Sequence, residues 1–344
     1  MKRFNSQPTA GPAAINEGEM KAAVIEKQGG IENIVYREFS DPVIGPRDVL
    51  VRCKAVGLNY FDIFVRRGMP GLPVPMPWIS GADAAGEIAA TGSEVQGWKV
   101  GDRCLIDPLT NEGMMGEEVQ GAFAEYCRIP QDFVIPLDPR LSFVEAATIP
   151  ANYGTVYRML FTNGGMQRDD LVLVLGASGG VGTATVQVVK AYGGRVIACA
   201  GSDEKCAKLK ELGADHAINY STQDFSREAW RLSGKKGVDV CVNFTGGDTW
   251  NPSIRTLKLH GKLLTCGATA GFDAQTDIRY IWQREVKICG SNGYTKEDVR
   301  RGMIDMADGK IKKPEVRTFP LAKLGDAEAL MEARDFFGKI VMIP

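Results

Sequence analysis

Histidine is almost missing from this chain: two residues, His216 and His260, stand among 344. That scarcity removes the commonest metal ligand and the commonest general base near neutral pH. The eight cysteines, at 53, 104, 127, 199, 206, 241, 266 and 289, are never separated by only two residues, so neither a zinc ribbon nor a Cys-x-x-Cys redox pair is encoded. No uninterrupted apolar run reaches the ~18 residues that a membrane-spanning helix needs. Excess charge of one sign is absent too: 41 Lys and Arg against 42 Asp and Glu give a formal net charge of -1, which leaves no large basic field for a phosphate backbone. These absences point away from membrane and nucleic-acid partners and toward a soluble protein acting on a small molecule. Residues 1–19 mix Pro, Gly, Ala, Asn and Gln without the apolar core of a signal peptide and read as a disordered extension. Several cysteines sit in strand-like apolar runs, where a free thiol packs as a small hydrophobe, so a reducing cytoplasm is the expected compartment.

What is present is ordinary globular material, 44% hydrophobic and 24% charged, in a length that suits two domains. From residue 20 to about 150, short alternating or β-branched runs are cut every few residues by Gly, Pro or Asp, which predicts an irregular, mostly antiparallel β domain. After Pro150 the texture becomes strand, glycine turn, amphipathic helix, and repeat. Strands are expected at 171–175, 195–200, 216–219, 238–244 and 262–266, with helices at 181–192, 204–212 and 223–232. Such alternation is the signature of βαβ units and a doubly wound parallel sheet of Rossmann type. Past residue 290 the alternation fades into two helical stretches, 298–307 and 324–333, and a lone apolar strand at 338–343. That strand needs a sheet edge to pair with and is expected to return to the first domain. The resulting division is α/β: a β-rich domain from 20–150 and 291–344, and a parallel-sheet domain from 151–290.

Directly after the 171–175 strand stands Gly176-Ala-Ser-Gly-Gly-Val-Gly182, followed at once by a helical run. Gly176, Ala177, Ser178, Gly179, Gly180, Val181 and Gly182 form a loop that lacks side chains where a backbone must turn tightly and approach a pyrophosphate. The helix N-terminus behind it supplies free N–H groups and partial positive charge. At the end of the next strand, NAD sites usually carry an acid for the ribose 2′-OH. Here the strand ends Ala200-Gly-Ser-Asp-Glu-Lys205: small residues hold the acid's place, while Ser202 and Lys205 can serve a 2′-phosphate. NADPH is therefore favoured over NADH, although Ser202 is also a natural helix N-cap and Asp203 and Glu204 stand beside it.

The series Gly57-Leu-Asn-Tyr-Phe-Asp62, Ile79-Ser-Gly-Ala-Asp-Ala-Ala-Gly86, Val100-Gly-Asp-Arg103, Gly121-Ala-Phe-Ala-Glu-Tyr126, Gly154-Thr-Val-Tyr157, Gly176–Gly182 and Leu212-Gly-Ala-Asp-His-Ala-Ile-Asn-Tyr220 resembles the medium-chain dehydrogenase/reductases, in family order. The resemblance covers nearly everything from residue 20 onward. It implies a GroES-like β-rich catalytic domain, a Rossmann cofactor domain, an active-site cleft between them, and a homodimer. Many members hold catalytic zinc. The matching positions here are Asn59, Ala82 followed by Asp83, and Ala151, which apart from Asp83 are not zinc donors. The structural-zinc lobe is matched by a short, cysteine-free stretch, 107–120. No metal is expected.

Without a Lewis acid an unactivated alcohol is a poor hydride donor, whereas an electron-poor double bond needs only hydrogen-bond donors and a proton. The resemblance to the zinc-free quinone and enone reductases thus implies reduction of a quinone or α,β-unsaturated carbonyl. It places Asn59 beside the nicotinamide, Thr155 in contact with it, Lys205 and Tyr220 at the 2′-phosphate, and Gly267 and Ser291 among the remaining cofactor contacts. Tyr60 and Asp62 are candidate proton donors; as alternatives, Asp62 is a structural carboxylate and Tyr60 a packed aromatic. Where the enoyl thioester reductase branch has a tyrosine, this chain has Gly68-Met-Pro-Gly71, so solvent is a further proton source. Arg66 and Arg67 are candidates to meet an anionic substrate at the cleft mouth. The aromatics of Ile278-Arg-Tyr-Ile-Trp282 and Gly290-Ser-Asn-Gly-Tyr294 suit either the pocket or a subunit interface. Competing readings are a short-chain enoyl-CoA reductase, a non-catalytic crystallin-like NADPH-binding protein, and a zinc alcohol dehydrogenase.

Overall fold

The structure, a computed structural model, describes residues 18–71 and 73–344; most of the expected N-terminal extension, residues 1–17, lies outside the described residues. Among the described residues, regular structure begins with the strand Glu19–Ile25, which pairs antiparallel with Ile34–Ser40. The long strand Asp48–Leu58 is the spine of a seven-stranded sheet, pairing antiparallel with Asp83–Thr91, Tyr126–Pro130 and Lys339–Ile343. Arg103–Ile106 and Val134–Pro136 extend that sheet, again antiparallel. Inward positions such as Val49, Val51, Cys53, Val56 and Leu58 are buried, as the apolar runs require.

The C-terminal strand departs from expectation in one respect. It does reach the first sheet, but not as an edge: Val316–Pro320 pairs with it in parallel on its outer side. Lys339–Ile343 therefore has both rows of backbone groups satisfied, which suits its burial.

The second sheet has six parallel strands in the order His216–Asn219, Arg195–Ala200, Leu171–Val174, Val238–Val242, Leu257–Thr265 and Lys287–Gly290. In chain order this is 3-2-1-4-5-6, the doubly wound arrangement, with helices Gly180–Ala191, Asp203–Glu211 and Phe225–Leu232 as crossovers. The expected strand at 262–266 instead starts at Leu257, because the helix Trp250–Thr256 runs straight into it and an irregularity between Val238 and Val240 absorbs the mismatch. The sixth strand, Lys287–Gly290, is too short and too exposed to show an apolar period.

One buried cluster joins the two sheets. It runs from Ala55, Ala85 and Leu105 through Tyr153 and Tyr157 to Val172, Val174 and Ala198. The residues from Ile149 to Asn163, mostly π-helical, carry this connection, and the helix Lys296–Ala307 packs across them. No helix among the described residues is long and apolar enough to cross a membrane.

Candidate functional site

Where the carboxyl ends of the parallel strands meet the first sheet there is a cavity of about 320 Å³. This is the crevice in which open α/β sheets bind ligands. One wall is the glycine turn. Gly176 has φ of +64°, a conformation that suits glycine, and a Cβ at Gly182 would lie 2.4 Å from the Gly176 carbonyl oxygen. Gly182 and Ala177 thus close the packing of helix on strand, while Ser178, Gly179, Gly180 and Val181 face the cavity. A Cβ at Gly179 would meet nothing nearer than 3.8 Å, and no side chain caps the helix Gly180–Ala191. A bare helix N-terminus beside open space fits a dinucleotide pyrophosphate.

At the next strand end, Ser202 is the N-cap of the helix Asp203–Glu211 and accepts a 3.3 Å bond from the Lys205 backbone N–H. Asp203 is turned toward Asn219, whose side chain donates to it at 2.8 Å. Lys205 and Tyr220 line the cavity and the groove that continues from it, together with Arg334. In the protein alone, Lys205 Nζ donates to the Arg334 carbonyl at 2.5 Å.

The opposite wall carries Leu58, Asn59, Tyr60, Asn152 and Lys339. Asn59, at the start of the helix Tyr60–Arg67, faces the cavity, but its amide is already engaged. Its Nδ2 donates to Asp83 Oδ2 at 2.9 Å and to the Gly57 carbonyl at 3.4 Å, and its Oδ1 accepts from Lys339 Nζ at 2.5 Å. Lys339 also donates to Asp83 Oδ2 at 3.0 Å and to Asn152 Oδ1 at 3.3 Å. Asp83 Oδ1 accepts the Ala151 backbone N–H at 2.9 Å. The three positions matched to zinc ligands, 59, 82–83 and 151, therefore do converge on the Asp83 carboxylate, and a lysine ammonium is held against two of them, Asn59 and Asp83. The Lys339 side chain is only 2% exposed and Asp83 fully buried.

Asp62 does not line the cavity. It is fully buried and accepts the Asn59 N–H at 2.8 Å and the Gly81 N–H at 2.9 Å. Burial pushes its carboxyl up to about 8, with the two backbone N–H groups opposing. Arg66 corrects the expectation of a cleft-mouth cation. Its side chain is 1% exposed, paired at 2.5 Å with Glu328 and also with Glu332, and bonded to the Gly29 carbonyl at 2.6 Å. The helix Tyr60–Arg67 turns this face inward toward the helix Leu324–Glu332; Arg67, half exposed, pairs with Glu332. Thr155 is buried behind the cavity wall, Ser291 accepts a bond from Asn163 at 2.8 Å, and Gly267 lies just past the strand Leu257–Thr265; none of the three lines the cavity. Tyr294 is buried against Gly154, whereas Ile278 and Trp282 are exposed. Among the described residues no group of three His, Cys, Asp or Glu side chains is arranged to hold a metal.

Sequence reasoning missed Asn152, Phe244, Arg334 and, above all, Lys339. A signal was present: Lys339 opens an otherwise apolar terminal strand, and a charged residue there must find a buried partner.

Comparison with known proteins agrees with this fold. The alcohol dehydrogenase GroES-like domain matches residues 45–139, and the zinc-binding dehydrogenase domain matches residues 180–309. The chain belongs to the medium-chain dehydrogenase/reductase superfamily. Among members, a quinone oxidoreductase of Pseudomonas aeruginosa is 30% identical over 331 residues, spanning 92% of this chain and 97% of that protein. A 2-haloacrylate reductase of a Burkholderia species is 30% identical over 346 residues, spanning 94% and 98%. The solved structure of an NAD-dependent alcohol dehydrogenase superposes with a TM-score of 0.90 at 34% identity, over 94% of this chain and 100% of that one. As a medium-chain dehydrogenase/reductase, this protein is an oxidoreductase that uses a nicotinamide cofactor.

Proposed function

We propose that this medium-chain dehydrogenase/reductase is a zinc-independent, NADPH-dependent reductase of electron-poor double bonds, with quinones or α,β-unsaturated carbonyls as substrates. The observation that carries the reading is the content of the zinc-ligand positions: Asn59 and the Ala151 backbone N–H both donate to Asp83, Lys339 pairs with Asn59 and Asp83, and one carboxylate is left where metal chemistry needs about three donors. An alcohol substrate would lack the Lewis acid that stabilises its alkoxide. When bound, a dihydronicotinamide supplies a hydride, two electrons with one hydrogen, to the electron-poor carbon. The substrate's π electrons then shift onto its carbonyl oxygen, and one proton from solvent completes the reduction. The chain's part is to hold the two partners, exclude bulk water and stabilise that oxygen. Of the two candidate donors Tyr60 is assigned the proton relay, since it lines the cavity whereas Asp62 is fully buried outside the lining.

The cofactor residues are those of the glycine turn with Ser202, Lys205 and Tyr220, and Arg334 adds a second cation beside the expected 2′-phosphate position. A homodimer through the outer strand Lys287–Gly290 is the matching assembly. The reaction is tested by following dihydronicotinamide absorbance with NADPH and NADH against quinones, enones, crotonyl-CoA, ketones and alcohols, with and without a chelator. Chelator-insensitive turnover of quinone or enone, faster with NADPH, is expected. Activity confined to ketones or alcohols and abolished by chelator would refute the assignment, and inertness toward every substrate would favour a binding protein.

A further inference from the structure

The buried ion pair on the cavity wall has a direction. Lys339, Asn59 and Asn152 face the cavity, while Asp83 lies behind them, fully buried and absent from the lining. Asp83 is completely committed: one oxygen takes the Ala151 N–H at 2.9 Å, and the other takes Asn59 and Lys339. An ammonium has three donors, and those of Lys339 are matched by three oxygens at 2.5, 3.0 and 3.3 Å. The pair is thus a fixed dipole with its positive end toward the cavity. It also fixes two amides. Because Asn59 Oδ1 and Asn152 Oδ1 both accept from Lys339, each Nδ2 must point away from the ammonium; that of Asn59 goes to Asp83, whereas that of Asn152, a cavity-lining side chain, lies beside Gly180 of the glycine turn, 2.7 Å from where a Cβ there would stand. The strand is anchored as well, since the Gly338 N–H donates to the Ser178 carbonyl of the glycine turn at 2.9 Å.

We propose that Lys339 is a positioning residue and resident cation of this site: held by Asn59, Asp83 and Asn152, it stabilises the negative charge that develops on the substrate's carbonyl oxygen and aims the Asn152 amide toward it. It is bonded at two of the three zinc-ligand positions, Asn59 and Asp83, and supplies positive charge there. A preorganised dipole in a wall sheltered from water costs no reorganisation when the charge appears. The carbonyl-oxygen role rests on the reductase reading; the anion-binding role does not.

Para-nitrophenol separates the two, because absorbance distinguishes its phenolate from its phenol. The wild-type protein is expected to bind it as phenolate; binding only as neutral phenol, or no binding, would overturn the proposal without any variant. Lys339→Met alone leaves Asp83 buried and unpaired, so the decisive variant is Lys339→Met with Asp83→Asn, which removes both charges. It is expected to keep its NADPH dissociation constant within about threefold, to lose phenolate binding by at least about tenfold, and to lose ~10²-fold in kcat with little change in KM. Unchanged phenolate affinity, or a kcat within about threefold of wild type, would show the pair to be structural only. If the wild type binds phenolate yet turns over no quinone or enone, the reductase reading fails and the anion site stands.

Discussion

Arg66 and Asp62 sit on one short helix, two side chains whose sequence position suggests chemistry and whose surroundings give them structural work. The Arg66 guanidinium is enclosed with Glu328, and Glu328 Oε1 has no partner among the described residues. Burial raises the Glu328 carboxyl, and the guanidinium beside it opposes that rise. Arg66→Met would strand a buried carboxylate, so a loss of ~3–5 kcal/mol in unfolding free energy is expected, with kcat unchanged because the side chain does not reach the cavity. Urea unfolding together with steady-state kinetics decides it; a kcat loss without destabilisation would restore the substrate-binding role. Asp62 acts through pH. Its folded carboxyl titrates at about 8, far above the ~3.9 of an unfolded chain, so the folded state keeps a proton that the unfolded state releases. That contribution to stability is complete below pH ~4 and is lost as pH rises through about 8. Asp107, pushed up to about 6 by burial with Lys296 opposing, adds to the lower part of the same decline. Asp62→Asn is expected to flatten the upper part of the thermal-stability curve; wild-type and variant curves that stay parallel from neutral to mildly alkaline pH would contradict the assignment.

At the scale of the element, the glycine turn separates two jobs. A Cβ at Gly182 would lie 2.4 Å from the Gly176 oxygen and 2.6 Å from Ala177 backbone atoms, and backbone cannot swing aside as a side chain can. Gly182→Ala is expected to cost ~1–3 kcal/mol of stability and to weaken NADPH binding at least about tenfold. Gly179 has open space beside it, so under the proposed cofactor site its lack of a side chain matters to the ligand and not to the fold. Gly179→Ala should leave the melting temperature of the free protein unchanged and still weaken the cofactor. Thermal unfolding and cofactor fluorescence titration read both effects, and equal losses of stability in the two variants would erase the distinction.

For the whole molecule, the six-stranded sheet ends in Lys287–Gly290, an outer strand with Ile288 41% exposed and with Ile278 at 62% and Trp282 at 60% nearby. An unpaired strand edge with exposed apolar side chains is a natural pairing surface. Ile288→Lys is expected to convert a dimer of this chain into single chains in sedimentation equilibrium; a wild type that sediments as one chain would remove the proposal. Much of the architecture was legible without coordinates, because apolar period and glycine spacing are local: strands 195–200 and 216–219, the glycine turn and its helix all follow from neighbours in sequence. The family motifs likewise named Asn59, Ala82–Asp83 and Ala151 as positions that belong together. What filled the space between them depended on a contact across 280 residues, from Asn59 to Lys339, and what enclosed Arg66 on one across 262, to Glu328. No periodicity reports such distances. By itself the sequence determined the two-sheet α/β plan and the glycine turn between its first strand and helix; only the tertiary structure decided that Lys339 is buried against Asn59, Asp83 and Asn152 and that Arg66 and Asp62 belong to the core, because a charge's role is set by what burial brings against it.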